Sequence, residues 1–188
     1  MPVLELHLIE GYTSDDKRRL GEALTDAVRF IVPAQPDGIV VMIHEMKPDA
    51  YYRGRGTKTP APALLDPAKL VTNFLLAMEA RELDQAQTML SNDFVMQFPG
   101  SDPMTKLSEL IDWATPRYQT VKKTYAGIEA MQGERVAAVV YARGTLSGRW
   151  LNGTDFENIR FIDRFEVVDG KLTRQDVWND LAEMKAKA

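Results

Sequence analysis

Two apolar segments of strand length, VLELHLI at residues 3–9 and IVVMI at residues 39–43, flank a single amphipathic helix pattern. The first segment alternates apolar and polar residues like a half-buried strand, and the second is continuously apolar like a strand of a parallel sheet. The helix pattern begins at N-cap candidates in TSDD, residues 13–16, and ends before Pro33. We therefore predict a β-α-β unit. Because so few elements cannot cover both faces of a sheet, the unit must pack against other copies or another domain.

The rest of the chain follows a different pattern. Gly, Pro and charged residues replace the apolar periodicity after the unit, which predicts an arm and a linker. We place the first unit at residues 1–57, the linker at 58–65 and a second domain at 66–188. In this second domain, three helix patterns precede long strand patterns that begin at Thr120. This order predicts an α+β fold, with helices packed on one face of a curved antiparallel sheet.

Composition narrows the classes of partner. The chain has 188 residues, a formal net charge of -4 and no cysteine. A chain with this net charge has no basic patch that could neutralise the phosphates of a nucleic acid. We therefore expect a small-molecule substrate and no nucleic-acid partner. The absence of cysteine excludes disulfides and fits a reducing cytoplasm. No apolar run is long enough to span a membrane and no signal-peptide pattern is present, so we expect a cytoplasmic protein without a membrane partner.

Pro2 lies directly before the first predicted strand, and two interpretations of it are open. Proline is tolerated at the first position of a strand, where its missing N–H costs no ladder hydrogen bond. Alternatively, removal of Met1 makes Pro2 an N-terminal secondary amine, and α-amino groups titrate at about 7.7 to 8.0. An apolar pocket favours the neutral amine, which can take a proton from a carbon next to a carbonyl group.

The segment PVLELHLIEG, followed by a polar helix start, VVMIHEM and an arm rich in Tyr, Gly and Arg, resembles the 4-oxalocrotonate tautomerase family over about the first 57 residues. The resemblance implies that Pro2 is the general base and that arginines stabilise the enolate. It also implies a homo-oligomer, in which two units pair and the pairs form a trimeric ring. The two usual arginine positions are occupied here by Tyr12 and Val40.

Residues of the arm are candidate replacements for those arginines. Arg53 and Arg55 lie in the arm that the resemblance directs toward an active site, and Tyr12 can donate a hydrogen bond to an oxyanion. Tyr51 or Tyr52 matches the aromatic residue found there in the family. The alternative is that the two arginines are solvated linker charges and that Tyr12 only packs.

The second domain resembles another family. The order of helices and strands from about Asp66 to Leu181, with FENIRFIDRFEVVDGKLTRQDVWND near the end, is similar to the SnoaL-like branch of the nuclear-transport-factor-two superfamily. This group includes polyketide cyclases, ketosteroid isomerase and proteins that only bind ligands. The resemblance implies a cone-shaped α+β barrel with an apolar pocket between its sheet and its helices.

Asp163 is the acid/base candidate that this second resemblance retains. The base aspartate of ketosteroid isomerase corresponds to Phe98 here, and its oxyanion-hole tyrosine corresponds to Phe74. A carboxyl group on a strand that lines an apolar pocket can act as a base or stay neutral as a hydrogen-bond donor. Two other interpretations are equally open. Arg164 or Arg160 neutralises the Asp163 carboxylate, or the carboxylate faces solvent.

Aromatic side chains of both domains are candidates for binding a flat ligand, although such residues also form cores and dimer interfaces. Tyr125 and Tyr141 belong to this aromatic set. Two interpretations are open for Asp176, Asn179 and Asp180: they line the pocket mouth, or they only close the last strand. The substrate-binding candidates are Tyr52, Phe74, Phe98, Trp113, Tyr118, Trp150 and Trp178.

Three functional hypotheses follow. In the first, Pro2 tautomerises a small carbonyl or enol compound while the second domain binds substrate or product. In the second, the second domain is a cyclase or isomerase for a polyketide-like molecule, with Asp163 as acid/base. In the third, both domains bind ligands and assemble without catalysis. None of them implies a metal or an organic cofactor, because His7 and His44 lie on separate predicted strands without a completing carboxylate.

Overall fold

The computed structural model describes residues 1–133 and 138–185. The chain forms two compact units, Met1–Ala63 and Leu64–Ala188. Within the described residues, no helix combines the length and apolar character needed to cross a bilayer.

The N-terminal unit is the predicted β-α-β structure. It consists of β1 (Val3–Ile9), α1 (Ser14–Ile31) and β2 (Val40–Met46). The two strands pair in parallel, from Val3 opposite Val40 to Ile9 opposite Met46. The fold prediction for this unit is therefore confirmed, and β2 extends beyond the predicted run to Met46.

A capping box starts helix α1. The hydroxyl oxygen of Thr13 accepts from the backbone N–H of Asp16 at 3.2 Å, and the Asp16 carboxylate accepts from the Thr13 N–H at 3.0 Å. These bonds satisfy backbone donors that a helix start leaves without partners. The helix ends at Ile31 because Pro33, two residues on, cannot continue it.

The N-terminal unit has almost no core of its own. Ile39, at 8% exposure, is the one buried hydrophobic residue of Met1–Ala63, all of which the structure describes. Phe30 and Ile31, at the end of α1, are 93% and 82% exposed. A unit that buries so little apolar surface is not stable alone, which agrees with the expectation that it packs against something else.

The arm after β2 is a short hairpin, which the composition of this segment did not predict. Strands β3 (Tyr52–Arg53) and β4 (Gly56–Thr57) pair antiparallel, with Arg53 opposite Gly56. Gly54 has a φ of 69° in the turn, a backbone conformation that favours glycine. Single turns of 3-10 helix at Pro36–Gly38 and Pro48–Ala50 flank β2.

The C-terminal unit contains four helices and five strands among its described residues. The helices are α2 (Pro67–Glu79), α3 (Leu83–Thr88), α4 (Leu107–Ala114) and α5 (Leu181–Lys185). The strands are β5 (Leu90–Gln97), β6 (Tyr118–Gln132), β7 (Ala138–Trp150), β8 (Asp155–Val168) and β9 (Lys171–Asn179). The strand predicted from Arg135 is described from Ala138 onward, and residues 135–137 lie outside the described part.

These five strands form one curved sheet in the order β5-β9-β8-β7-β6. The α+β class is confirmed, with two differences from the expected barrel. The sheet is mixed, because β5 pairs with β9 in parallel while the other neighbours are antiparallel. No hairpin joins β5 to β9, so no turn imposes an antiparallel direction on them. The sheet is also open, with β5 and β6 as its two edges in the described residues.

Helix α2 covers the inner face of this sheet. Asp66 caps it by accepting from the Lys69 N–H at 3.1 Å, and Pro67 occupies the first turn, where no N–H is needed. Phe74 is 1% exposed, and its ring centroid lies 6.4 Å from that of Phe94 and 6.0 Å from that of Phe165. This aromatic contact joins the helix layer to the sheet.

Gly144 on β7 allows a close approach to β6. A Cβ atom at this position would lie 1.9 Å from the carbonyl oxygen of Thr124, which is backbone and cannot rotate away. Gly144 pairs with Tyr125 on one side and with Phe161 on the other, beside a register shift between Tyr125 and Gly127. The irregular pairing of β6 therefore depends on a missing side chain.

We expect Gly144→Ala to lower the free energy of unfolding by about 2 kcal/mol or more, because the added methyl group overlaps the backbone. Gly127→Ala is the matched control in the same sheet, since its Cβ would meet only the mobile ends of Glu129 and Arg143. Urea denaturation of both variants measures the difference. Equal stability of the two variants would contradict the proposed role of Gly144.

Candidate functional site

A pocket of about 330 Å³ lies at the end of β1 in the N-terminal unit. Residues from three segments line it. They are the end of β1 together with Tyr12, the arm at residues 51 and 53, and residues 58–61 after the hairpin. Its lining consists of His7, Leu8, Ile9, Tyr12, Tyr51, Arg53, Lys58, Thr59, Pro60 and Ala61.

Gly11 fixes the position of the stretch after the hairpin. Its φ is 138°, and a Cβ atom there would lie 2.8 Å from Cγ of Pro60. The proline ring therefore packs on a residue that has no side chain. This contact holds Lys58 and its neighbours beside the end of β1.

The lining of this pocket favours anions. Arg53 and Lys58 supply positive charge, Tyr12 and Tyr51 supply hydroxyl groups, and the lining contains no aspartate or glutamate. Guanidinium and ammonium groups form short, charge-assisted hydrogen bonds with carboxylates and enolates. The arrangement can bind a small carboxylic acid or stabilise an oxyanion.

A stacked pair of histidines borders the pocket. The His7 and His44 rings lie opposite each other on β1 and β2, with centroids 4.9 Å apart and an interplanar angle of 17°. Nε2 of His7 lies 3.9 Å from a carboxylate oxygen of Glu5. Among the described residues, no group of three or more His, Asp and Glu side chains is arranged to hold a metal ion.

Pro2 lies at the opposite end of the strand pair. Its carbonyl oxygen accepts from the Val40 N–H at 3.0 Å, where β1 and β2 begin, and its side chain is half-buried. β1 has seven residues, which span about 23 Å at roughly 3.3 Å per residue. The structure thus brings Tyr12, Tyr51 and Arg53 together in one chain but leaves Pro2 far from them.

Two other predicted residues of the arm lie outside the pocket lining. Arg55 occupies the exposed hairpin turn, and Tyr52 is 64% exposed. Lys58, which the sequence placed in the linker, is the pocket residue that sequence reasoning missed. No local pattern marks Lys58, because its position depends on the packing of Pro60 against Gly11, which is distant in the chain.

In the C-terminal unit, Asp163 is fully buried and paired. Its Oδ2 atom accepts a hydrogen bond from the ammonium group of Lys123 on β6, and Nε2 of Gln175 on β9 lies 3.4 Å from the same oxygen. Its Oδ1 atom is buried and has no hydrogen-bond partner. The Lys123 nitrogen also lies 4.7 Å from the centroid of the Phe161 ring.

The two arginines considered as partners of Asp163 instead face the other side of the sheet. Arg164 pairs with Glu166 at 2.6 Å and with Asp176 at 3.3 Å. Arg160 pairs with Asp180 at 2.7 Å. Successive residues of a strand point to opposite faces, and Arg164 and Arg160 lie one and three residues from Asp163. Both arginines therefore point away from the face that carries the Asp163 carboxylate.

Tyr125 lies beside this ion pair. Its ring packs edge-on against Phe161, with centroids 5.8 Å apart. Burial, the negative charge of Asp163 and that of Glu79 all raise the pKa of the Tyr125 hydroxyl above its usual range. The hydroxyl therefore stays protonated under conditions in which an exposed tyrosine ionises.

The predicted aromatic residues fall into four places. Phe74 lies in the core, while Phe98 and Trp113 pack on the core's edge with centroids 5.2 Å apart. The Trp150 ring packs at a tilt against that of Phe156, with centroids 4.5 Å apart, beside an open cleft of about 540 Å³. Trp178 is 51% exposed.

Tyr118 and Trp178 differ in their surroundings. Tyr118 packs against the cluster that contains Leu146 and Phe161, and burial raises the pKa of its hydroxyl. Trp178 alternates with the buried Val177 on β9, so its side chain points away from the domain interior. Of the two, only Tyr118 belongs to the inner layer.

Comparison with known proteins assigns both parts of the chain. Residues 2–58 match the family described as tautomerase enzyme, and residues 71–175 match the family described as SnoaL-like domain, which covers more than half of the chain. A 2-hydroxymuconate tautomerase of Bacillus subtilis is 41% identical over 51 residues, which are 27% of this chain and 82% of that protein. The chain belongs to both families.

Solved structures agree with the fold of the SnoaL-like domain. An NTF2-like protein of unknown function from Burkholderia pseudomallei has a TM-score of 0.55 at 16% identity and covers 65% of this chain and 97% of its own. TerC, co-crystallised with polyporic acid, has a TM-score of 0.53 at 15% identity, with coverages of 64% and 97%. Both resemblances predicted from the sequence are confirmed, as is membership of isomerase- or cyclase-type enzyme families.

We expect the SnoaL-like domain to lose stability above about pH 10, where an unfolded tyrosine ionises and the buried Tyr125 does not. Because the folded pKa is raised, the native state retains the proton and stability falls as pH increases. The free energy of unfolding, measured by denaturation at pH 9 and at pH 11, should fall between these pH values. The fall should be smaller in Tyr125→Phe than in wild type by up to about 1 kcal/mol, a figure that allows for partial solvent screening. Tyr52→Phe is the control. An identical loss in wild type and Tyr125→Phe would refute the assignment.

Proposed function

We propose that the protein is a tautomerase for a small carbonyl or enol acid, with Pro2 as its general base. The observation that carries this proposal is the tautomerase match, which begins at Pro2 and includes the β-α-β unit and the arm. The Bacillus subtilis relative is named for 2-hydroxymuconate, so this compound is the first substrate to test.

The proton transfer requires a free amine at Pro2. Removal of Met1 converts an amide nitrogen into a secondary amine that can accept a proton from the carbon next to a carbonyl group. The electron pair of the broken C–H bond moves onto the carbonyl oxygen, forming an enolate. Return of the proton to another carbon of the conjugated system completes the isomerisation of a ketone substrate without an added reagent. For 2-hydroxymuconate, which is an enol, the amine takes the proton of the enol O–H, the carbonyl group forms at that carbon, and the proton is returned to a carbon of the conjugated system.

The enolate and the substrate carboxylate need positive partners. Arg53 and Lys58 provide them in the pocket at the end of β1, and Tyr12 and Tyr51 provide hydroxyl donors. In this proposal, Arg53 and Lys58 take over the roles of the two arginines that are replaced here by Tyr12 and Val40. Arg55, in the exposed turn, is a secondary candidate for the same role.

A second copy of the chain must complete the site. Pro2 and the pocket lie at opposite ends of a strand pair about 23 Å long, which is too far for one small substrate to contact both. We therefore propose a homo-oligomer, in which the pocket of one copy lies beside Pro2 of another. The site is incomplete in a single chain.

Exposed apolar residues at the Pro2 end support such an assembly. Helix α1 runs antiparallel to β1, so its last residues return to the end of the sheet where Pro2 lies. Val3, Phe30, Ile31 and Val32 are 53%, 93%, 82% and 43% exposed. A second copy that covers them removes water from around Pro2, and lower polarity favours the neutral amine.

The geometry favours Pro2 over Asp163 as the reactive base. Pro2 is half-buried at a surface, whereas the Asp163 carboxylate is fully buried and paired with Lys123. A base must come within hydrogen-bond distance of the proton that it takes, and Pro2 can do so without rearrangement of a packed core. In this proposal the SnoaL-like domain binds substrate or product.

The first experiment is the intact mass of the purified native chain, followed by an ultraviolet assay of 2-hydroxymuconate ketonisation. We expect Met1 to be absent and Pro2→Ala to lower kcat/KM by about 100-fold or more, since general-base catalysis contributes about that much. Full retention of Met1 in an active native protein would exclude Pro2 as the base.

A second experiment separates the cations of the arm. Arg53→Met and Lys58→Met should each raise KM or lower kcat/KM by about tenfold or more, because each removes a charged hydrogen bond to the substrate. Arg55→Met should have a smaller effect, since Arg55 does not line the pocket. Equal effects of all three variants would mean that the pocket does not bind the substrate.

A further inference from the structure

We propose that His7 is a third cationic group of the pocket at the end of β1, which takes up a proton when a dicarboxylate binds and so makes the affinity for that ligand depend on pH. The charges assigned to this pocket above are those of Arg53 and Lys58, and His7 has no role among them. The new role rests on the proposed function for its ligand class, a small dicarboxylate, but its test measures binding and does not require the reaction.

His7 lies on the face of the two-stranded sheet that helix α1 does not cover. Glu45 of β2 pairs with Lys17 of α1 at 2.7 Å, so Glu45 points toward the helix. Successive residues of a strand point to opposite faces, so His44 points away from the helix. His7 lies opposite His44 and stacks on its ring, so it shares that face. Its side chain is 57% exposed and belongs to the pocket lining, which leaves the imidazole open to a ligand.

The charged groups around His7 connect its protonation to the binding of an anion. On β1, Nε2 of His7 lies 3.9 Å from a carboxylate oxygen of Glu5, which favours the imidazolium form. Arg53 of the arm and Lys58 after the hairpin oppose this form, and the other polar side chains of the lining carry hydroxyl groups. A bound dianion offsets the charges of Arg53 and Lys58. The proton is therefore taken up as the anion binds.

The stacked ring of His44 limits the uptake to one proton. The two ring centroids are 4.9 Å apart, and two imidazolium charges at this distance repel each other. Glu5 lies beside His7, and His7 lines the pocket, whereas His44 is not among the lining residues. The proton therefore goes to His7, and His44 remains the neutral member of the pair.

The donors of His7 favour a ligand with two carboxylates. An imidazolium ring has two N–H donors, and Nε2 is the one nearer to Glu5, which leaves Nδ1 for a ligand. A hydrogen bond from a charged donor to a carboxylate is shorter and stronger than a neutral one. Arg53 and Lys58 are sufficient for a single carboxylate, whereas a second carboxylate gains from a third cation.

The direction of the pH dependence follows from the sign of the charge. Histidine changes charge between about pH 5 and pH 8. Proton uptake adds positive charge to the pocket, so the affinity for a dicarboxylate rises as pH falls through this range. By linkage, the bound ligand favours the protonated form of His7 by the same factor. The N-terminal amine of another copy also titrates near neutral pH in the proposed site, so a His7 variant is needed to separate the two groups.

The test compares trans,trans-muconate with sorbate, which has the same diene chain and one carboxylate fewer. Both compounds lack an enol hydroxyl group, so neither undergoes ketonisation, and both remain ionised at pH 6 and at pH 8. Calorimetric titration of the full chain should show muconate binding that is about fivefold or more tighter at pH 6 than at pH 8. The affinity for sorbate should change less between these pH values.

Two matched variants separate the members of the histidine pair. His7→Gln keeps a polar side chain without a titrating charge, and its affinities for muconate at pH 6 and pH 8 should agree within about twofold. His44→Gln removes the ring that does not line the pocket and should keep the preference for pH 6. Thermal unfolding of both variants checks that they are folded, which the exposure of these side chains leads us to expect.

Nuclear magnetic resonance gives a second readout, because the chain contains two histidines and the two variants assign their Cε1–H signals. Muconate should move the titration midpoint of His7 to higher pH, and that of His44 less. The proposal is overturned if muconate does not bind, if its affinity is the same at pH 6 and pH 8, or if His7→Gln keeps the preference for pH 6. Loss of tautomerase activity in Pro2→Ala beside any of these results would leave the proposed function intact. Binding that depends on His7 in a chain without tautomerase activity would contradict the proposed function alone.

Discussion

The parallel pairing of β1 with β2 constrains what the N-terminal unit can do. It places Pro2 at one end of the unit and the pocket with Arg53 and Lys58 at the other. The same pairing leaves a two-stranded sheet with a single helix and one buried residue, Ile39. Its stability therefore requires contact with another surface, and its proposed chemistry requires a second copy of the chain.

Local patterns were sufficient to predict most of the fold. Alternation in VLELHLI, the capping residues Thr13 and Asp16, and the Asp66-Pro67 start of α2 each act within a few neighbouring residues. The parallel pairing of β5 with β9 and the open sheet were not predictable in this way. They depend on contacts between segments far apart in the chain, which hydrophobic periodicity does not encode.

The candidate site shows the same division. Tyr12 and Arg53, which the sequence named as candidates, line the pocket, whereas Lys58 and Lys123 were not named; Pro2 stays a prediction. Lys123 lies opposite Leu146 of β7 and Asp163 lies opposite Ala142, so the lysine side chain crosses β7 diagonally, past Gly144, to reach the carboxylate. A single sequence gives no measure of that register, so only Arg164 and Arg160, which are near Asp163 in the chain, were considered as charged partners.

The pairing of β5 with β9 also affects how the protein is made. Strand β5 is an edge strand whose only sheet neighbour in the described structure is β9, the last strand of the chain. During synthesis β5 leaves the ribosome long before β9 does, so the backbone edge that pairs with β9 and the apolar side chain of Phe94 remain unpaired until the end of the chain is made. The N-terminal unit emerges earlier still, and its two strands pair with each other before any strand of the second domain is made.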